Sequence, residues 1–167
     1  VYQAPDFIDD SIKERSTRQP DFKIPFHQVS AGEVAYDHQH TRLLWYGHST
    51  FFVQMDGMNI LIDPMFSRTP SPIQAIGRSR YSKGLPINIK DLPAIDAVLI
   101  THDHYDHLDY RSILKIKNKV KHFYVPLGIS GHLMRWGVAE EAITELDWME
   151  QTTLGAIRLT LTPTHHY

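Results

Sequence analysis

No cysteine occurs among the 167 residues. Disulfide frameworks, thiolate metal sites and cysteine nucleophiles are therefore excluded together, and the redox compartment stays undetermined. No apolar run approaches the roughly 18 residues that a membrane-crossing helix needs. No charged, apolar and small-residue pattern of the secretory kind opens the chain. Val1 stands where a start methionine would, so an upstream segment, signal or anchor included, stays an open expectation, and cellular location with it. Charge of one sign is also lacking: the formal net charge is -2. Nothing in the bulk electrostatics argues for nucleic acid as a partner, and any anion site must be local. With 42% hydrophobic residues, the chain has the apolar mass for the core of one globular domain.

Histidine is abundant instead. Eleven are present, and five of them fall in two short clusters, His102, His104 and His107 in THDHYDH and His165 and His166 in THH. Neutral imidazole is the commonest metal ligand. His27, His38, His40, His122 and His132 have no partner pattern and read as ordinary surface or core residues.

Residues 1–40 are polar and broken by Pro5, Pro20 and Pro25, and read as an extended N-terminal arm with one short helix around Ile8 to Arg15. From Thr41 the chain turns aromatic and aliphatic, and Asp56-Gly57 before MNILID predicts a two-residue hairpin turn in a β-hairpin ending at Asp63-Pro64. Residues 65–93 hold four prolines and show neither period. Loops that long inside a domain are usually functional or disordered. Arg68, Arg78, Arg80 and Lys83 make this one basic, which suits either a solvated loop or one that recognises an anion or acts as a lid.

IDAVLI (95–100) is a short apolar run interrupted only by Asp96, as in a strand buried on both faces. Asp109 then caps a helix from Tyr110 to about Lys119. KHFYVP predicts a strand, ISGHLMRWG a second helix stopped by Gly137, and AITELDW and AIRLTLTP two further strands. Strands alternating with helices favour an α/β layered core.

The cluster falls between the buried strand and the helix. In extended chain, residues two apart point the same way, so His102 and His104 converge on one point while Asp103 is directed elsewhere. Asp106 and His107 lie in the turn and reach a second point nearby. Nitrogen and carboxylate donors without thiolate suit zinc, manganese or iron. The bland alternative is a set of groups that cap the helix and bond one another, but that many polar groups compete for few partners in the absence of a cation. Thr164-His165-His166 closes another predicted strand and can supply a third ligand. His48, in WYGHST, reads either as a satisfied strand-end histidine or as a contact to a metal ligand or the substrate.

His102-x-His104-x-Asp106-His107 after an apolar strand resembles the signature of the metallo-β-lactamase superfamily, whose fold is an αββα sandwich. More narrowly, GHST (47–50), DPMFS (63–67), LPAIDAVLITHDHYDHLDY (92–110), VPLG (125–128), ELDW (145–148) and TPTHHY (162–167) resemble the N-acyl phosphatidylethanolamine phospholipase D branch, with its RomA-like and UlaG-like relatives. The likeness covers residues 41–167. It implies that this chain supplies roughly the first half of the sandwich, and that His102, His104 and His166 bind a first metal while Asp106 and His107 begin a second. Asp63 matches an early aspartate that orients the site from its edge, although a turn residue reads the same way. The family's bridging aspartate and last histidine ligand have no counterpart here, so the rest of the fold is expected from a second chain or a missing segment.

The implied activity is metal-dependent hydrolysis with one or two zinc ions, manganese or iron being alternatives. A bound water would be activated against the phosphodiester of a phospholipid-like substrate, with peripheral membrane contact possible. Asp106 is the candidate to orient that water or receive its proton, its ligand and base roles being inseparable by spacing. Arg68, Arg78 and Arg80 would hold the phosphate, and Met65, Phe66, Ile73 and Ile76 would meet an acyl chain. The rivals are a lactonase or other carboxylic-ester hydrolase on the same site, and a non-catalytic metal-binding half completed by another chain.

Overall fold

A computed structural model describes residues 20–35, 40–71 and 79–165. Six strands form one mixed sheet in chain order: β1 (Arg42–Trp45), β2 (Phe51–Met55), β3 (Met58–Ile62), β4 (Ile95–Leu99), β5 (Val120–Pro126) and β6 (Ile143–Leu146). The first three run antiparallel and the last four parallel. The expected hairpin is thus the second half of a three-stranded meander. Asp56 and Gly57 form its turn at φ 48° and 78°, the left-handed pair that a tight hairpin of right-twisted strands demands.

The parallel strands need crossovers. The one from β4 to β5 carries α1 (Tyr110–Ile116), continued by a 3-10 turn over Lys117–Lys119, and the one from β5 to β6 carries α2 (Ser130–Arg135). Asp109 caps α1 as its sequence predicts, accepting from the Arg111 N–H. Gly137, at φ 84°, follows α2 where the sequence places its stop.

The strands alternate between two faces. Phe52, Leu61, Val98 and Phe123 point into the main core with Ile113, Ile116 and Leu133 of the helices. Ile60 and Ala97 point the other way, packed with Val53, Met55, Ile62 and Leu99 under Leu154, Ile157 and Leu159. Those last three belong to a separate two-stranded ribbon, β7 (Gln151–Leu154) paired antiparallel with β8 (Ile157–Thr160). The sequence reading has β6 and β8 but not β7. A helix-covered sheet whose other face begins a second sheet is an α/β layered arrangement.

The described part of the arm, residues 20–35, lies against this body. Ile24 N–H donates to the Tyr81 carbonyl (3.0 Å) and Val29 N–H to that of Pro86 (2.7 Å). Val34 is buried in the main core, and its carbonyl accepts from Gln54 Nε2. The helix expected over Ile8 to Arg15 lies outside the described residues. The loop after β3 is also tied down: Phe66, Ile87 and Leu92 are core residues.

Candidate metal centre

Three segments converge at the carboxyl ends of β3 and β4: the β1–β2 turn, Asp63 just past β3, and 101–107 just past β4. Asp63 is their hub. It is 1% exposed and sits at φ 41°, a left-handed conformation that Asp and Asn tolerate better than most residues. Its N–H is held by the Leu99 carbonyl and its own carbonyl accepts from Thr50 Oγ1 (2.6 Å), so backbone contacts fix where the carboxylate points. That carboxylate accepts from the Thr101 N–H (2.8 Å), from Thr101 Oγ1 (2.7 Å) and from His107 Nδ1 (2.8 Å).

These contacts determine two tautomers. A carboxylate only accepts, so His107 carries its proton on Nδ1 and leaves the Nε2 lone pair for another purpose. Thr101 Oγ1 spends its one hydrogen on Asp63, so toward His102 Nδ1, at 2.9 Å, it accepts. His102 therefore also has its proton on Nδ1 and its lone pair on Nε2. Outer partners of this kind set ring orientation and basicity in metal sites. Ser49 Oγ adds a contact to His107 Nδ1 at 3.1 Å.

The rings gather accordingly. His102 lies 4.7 Å from His104 and 3.9 Å from His107, centre to centre, and Asp103 is directed elsewhere, into a separate cleft beside Tyr105 and Trp136. Asp106 Oδ2 stands 3.8 Å from His107 Nε2 and 2.8 Å from His48 Nε2. His48, Asp106 and His107 each offer a ligand atom within 4.8 Å of the others. Partial burial disfavours the charged form of Asp106. It is outweighed by the residue's own backbone N–H, the electrostatic pull of the His107 and His48 rings and the hydrogen bond from His48, so its carboxyl group lies below its usual value. Anionic oxygen and imidazole nitrogens with freed lone pairs fit a divalent cation of the zinc, manganese or iron kind.

His166 and Arg78, with Ile73 and Ile76, lie outside the described residues. Arg80 is placed differently from the expectation of an anion contact. Its guanidinium donates to the carbonyls of Tyr46, Met65 and Ser67 at 3.4, 3.0 and 3.1 Å, which makes it a clasp between the β1–β2 turn and the loop after β3. Burial pushes its pKa down, against the pull of Asp109. Arg68 lies in the wall of a cavity of about 670 Å3 beside the centre, with Phe26, Leu44, Trp45 and Met65, and His48 and Asp106 border it. Thr101 and Ser49 are absent from the sequence candidates. Both stand inside quoted motifs, next to His102 and His48, and that adjacency is the signal available.

A family profile described as a beta-lactamase superfamily domain matches residues 58–167. An uncharacterised Mycobacterium tuberculosis protein is 34% identical over 157 residues, which is 93% of this chain and 41% of that protein. The N-acyl-phosphatidylethanolamine-hydrolyzing phospholipase D 1 of Caenorhabditis elegans is 32% identical over 140 residues, covering 79% of this chain and 38% of the relative. The chain thus spans less than half the length of either. Among solved structures, CmlA, a diiron beta-hydroxylase from Streptomyces venezuelae, matches with a TM-score of 0.57 and 29% identity over 74% of this chain and 24% of its own.

Proposed function

Because the chain belongs to the beta-lactamase superfamily, we propose that it is part of a metal-dependent hydrolase that uses zinc to cleave the phosphodiester of a phospholipid-like substrate. The observation that carries this reading is the Asp63–Thr101 pair, which leaves lone pairs on Nε2 of His102 and of His107, the latter 3.8 Å from the Asp106 carboxylate. In the proposal His102 and His104, joined by His166, hold one ion, and Asp106 and His107 begin the site of a second. When bound, such ions supply a water acidified to a pKa of about 7 and a polarised substrate oxygen. The chain's own residues do the rest. Asp63 and Thr101 keep the imidazoles in the binding tautomer, Asp106 is ionised at neutral pH and oriented toward the centre, and the Arg80 clasp keeps the cavity wall in place.

The cavity supports the substrate class. Its volume lies within the range of small-molecule sites, its described wall is mainly apolar, and it reaches the centre at His48 and Asp106. An acyl chain seated there brings an adjacent ester to the metal residues, and the likeness to the nematode phospholipase D supports a phosphodiester. No described helix is long and apolar enough to cross a membrane. A second reading, a lactone or other carboxylic ester, is favoured by one observation: the Arg80 N–H groups already serve carbonyls, which leaves fewer donors for a phosphate.

Metal content and turnover on both substrate classes test the proposal. Zinc-loaded protein is expected to cleave an N-acylated phosphatidylethanolamine in vesicles and to leave simple lactones intact, and His102→Ala is expected to lose turnover. Lactone cleavage alone selects the second reading. Failure to bind zinc, manganese or iron removes the proposal.

A further inference from the structure

His48 is held in an expensive backbone conformation. It lies at the tip of the β1–β2 turn at φ 50°, after Gly47 at φ 93°. A histidine in the left-handed region is uncommon, and such residues persist only where their surroundings over-determine them, often at functional sites. The surroundings here do so. Tyr46 N–H donates to the Thr50 carbonyl (2.9 Å) and Thr50 N–H to that of Gly47 (3.2 Å). Trp45 Nε1 donates to the His48 carbonyl (2.8 Å). Through Thr50 Oγ1 the turn is bonded to the Asp63 carbonyl, so it is fixed relative to the hub. The result is an imidazole whose Nε2 meets Asp106 Oδ2 at 2.8 Å.

His48 can serve a cation here in two ways, as a ligand or as a hydrogen-bond donor to a ligand, and the spacings differ. Ligand atoms of a four-coordinate zinc ion, at bonds of about 2.0–2.2 Å, stand roughly 3.4 Å apart. Asp106 Oδ2 and His107 Nε2, at 3.8 Å, leave room for an ion between them. His48 Nε2 and Asp106 Oδ2, at 2.8 Å, are closer than two such ligands stand and are at the distance of a charge-assisted hydrogen bond. A carboxylate oxygen has two lone-pair directions. One takes the His48 N–H and the other remains toward His107.

We infer that His48 is a positioning residue for Asp106: its Nε2–H locks the carboxylate in the one orientation in which Asp106 and His107 share an ion. The inference rests on the metal-centre reading above. His48 touches neither the ion nor the reacting atoms, so its loss weakens binding at the Asp106–His107 position and spares the position of His102 and His104.

Chelator-treated full-length protein titrated with Co2+, followed by its visible absorption, and with Zn2+ against a competing dye, tests this without reference to turnover. His48→Ala is expected to weaken one of two bound equivalents by about 10- to 100-fold, with the other unchanged. His48→Gln, whose amide can also donate to Asp106, is expected to recover most of the loss. Wild-type affinities for both equivalents in His48→Ala overturn the inference. So does equal loss in the Ala and Gln variants, which would make His48 a ligand or a purely structural residue, and so does a wild type that binds a single equivalent. A wild type that binds no metal sinks the metal-centre reading instead, and the two failures are thereby distinguished.

Discussion

Replacing Asp63 by asparagine isolates the electronic role of the hub from its shape. Asparagine has nearly the same volume and is among the residues that best tolerate φ near 41°, so the backbone between β3 and Pro64 stays where it is. The hydrogen bonds do not. The carboxylate accepts from three donors, the Thr101 N–H, Thr101 Oγ1 and His107 Nδ1. The amide has one accepting oxygen and places an NH2 group where the other acceptor was. If the amide oxygen stays on the Thr101 N–H, its NH2 group faces His107 Nδ1, and two donors cannot bond. The ring then moves its proton to Nε2 so that Nδ1 can accept, and the lone pair intended for the metal is lost. Thr101 Oγ1 is released as well, so His102 is no longer held to one tautomer. Losing such an outer partner typically costs 10- to 100-fold in metal affinity, about 1.4–2.7 kcal/mol. The metal-free protein should lose about 1.5–3 kcal/mol of stability, the range for a hydrogen bond to a charged group. Zinc competition against a chromophoric chelator at pH 7.5 measures the first quantity and urea denaturation of the metal-free protein the second. Zinc affinity within threefold of wild type in a folded Asp63→Asn protein would refute the tautomer argument, because the altered hydrogen bonds would then have no consequence at the metal.

Three further outcomes follow from contacts outside the hub. Asp109 caps α1 and also accepts from the Ser67 N–H (3.0 Å) and Ser112 Oγ (2.5 Å). Asp109→Ala should cost about 2–3 kcal/mol in urea denaturation, a lost cap plus an orphaned buried N–H, and a loss below 1 would contradict it. Arg80→Lys keeps the charge but not the fork that spans the carbonyls of Met65 and Ser67. It should lower stability by about 1–2 kcal/mol, whereas unchanged stability with a much raised KM for an anionic substrate would return Arg80 to the role of an anion contact. Glu145 accepts from the Ser130 N–H at 2.7 Å, which, against some desolvation, holds its carboxyl below the usual 4.5. A depressed folded value means stability present above 4.5 and lost as the pH falls through that lower value, so wild type and Glu145→Gln should differ in thermal midpoint at pH 7 and converge toward pH 3. A pH-independent difference would refute it.

The parts of the fold legible in the sequence are those where one short stretch carries both its conformation and its burial. IDAVLI reads as a strand buried on both faces and Asp56-Gly57 as a tight turn, because each pattern has few other physical solutions. The same holds for Asp109 before α1. The first turn of the meander is harder to read: in LLWYGHSTFFV only the four residues Gly47 to Thr50 separate two aromatic and aliphatic runs. β7 is hidden because QTTL buries just Leu154. Its strand character comes from pairing with β8 and not from its own composition. Val34 lies among scattered small and apolar residues, Val29, Ala31 and Ala35, that follow neither a helical nor a strand period, so nothing announces its burial.

The centre divides the same way. His102, His104, Asp106 and His107 stand out because their chemistry is unusual for a strand end, and that is readable without a fold. What the sequence does not display is the wiring between them, since it joins residues far apart in the chain. Asp63 reaches His107 across 44 positions and Ser49 reaches it across 58. Arg80 shows a second kind of wiring, in which a charged residue that reads as a contact for anions also bonds the carbonyls of Tyr46, Met65 and Ser67, partners its own stretch does not announce. The hub also explains why two non-glycine residues with positive φ sit here. Asp63 and His48 each adopt a left-handed backbone conformation that directs a side chain at a residue of the candidate centre, His107 in one case and Asp106 in the other. A chain with relaxed backbone at either position would keep every histidine of the motif and lose the contacts that orient His107 and Asp106.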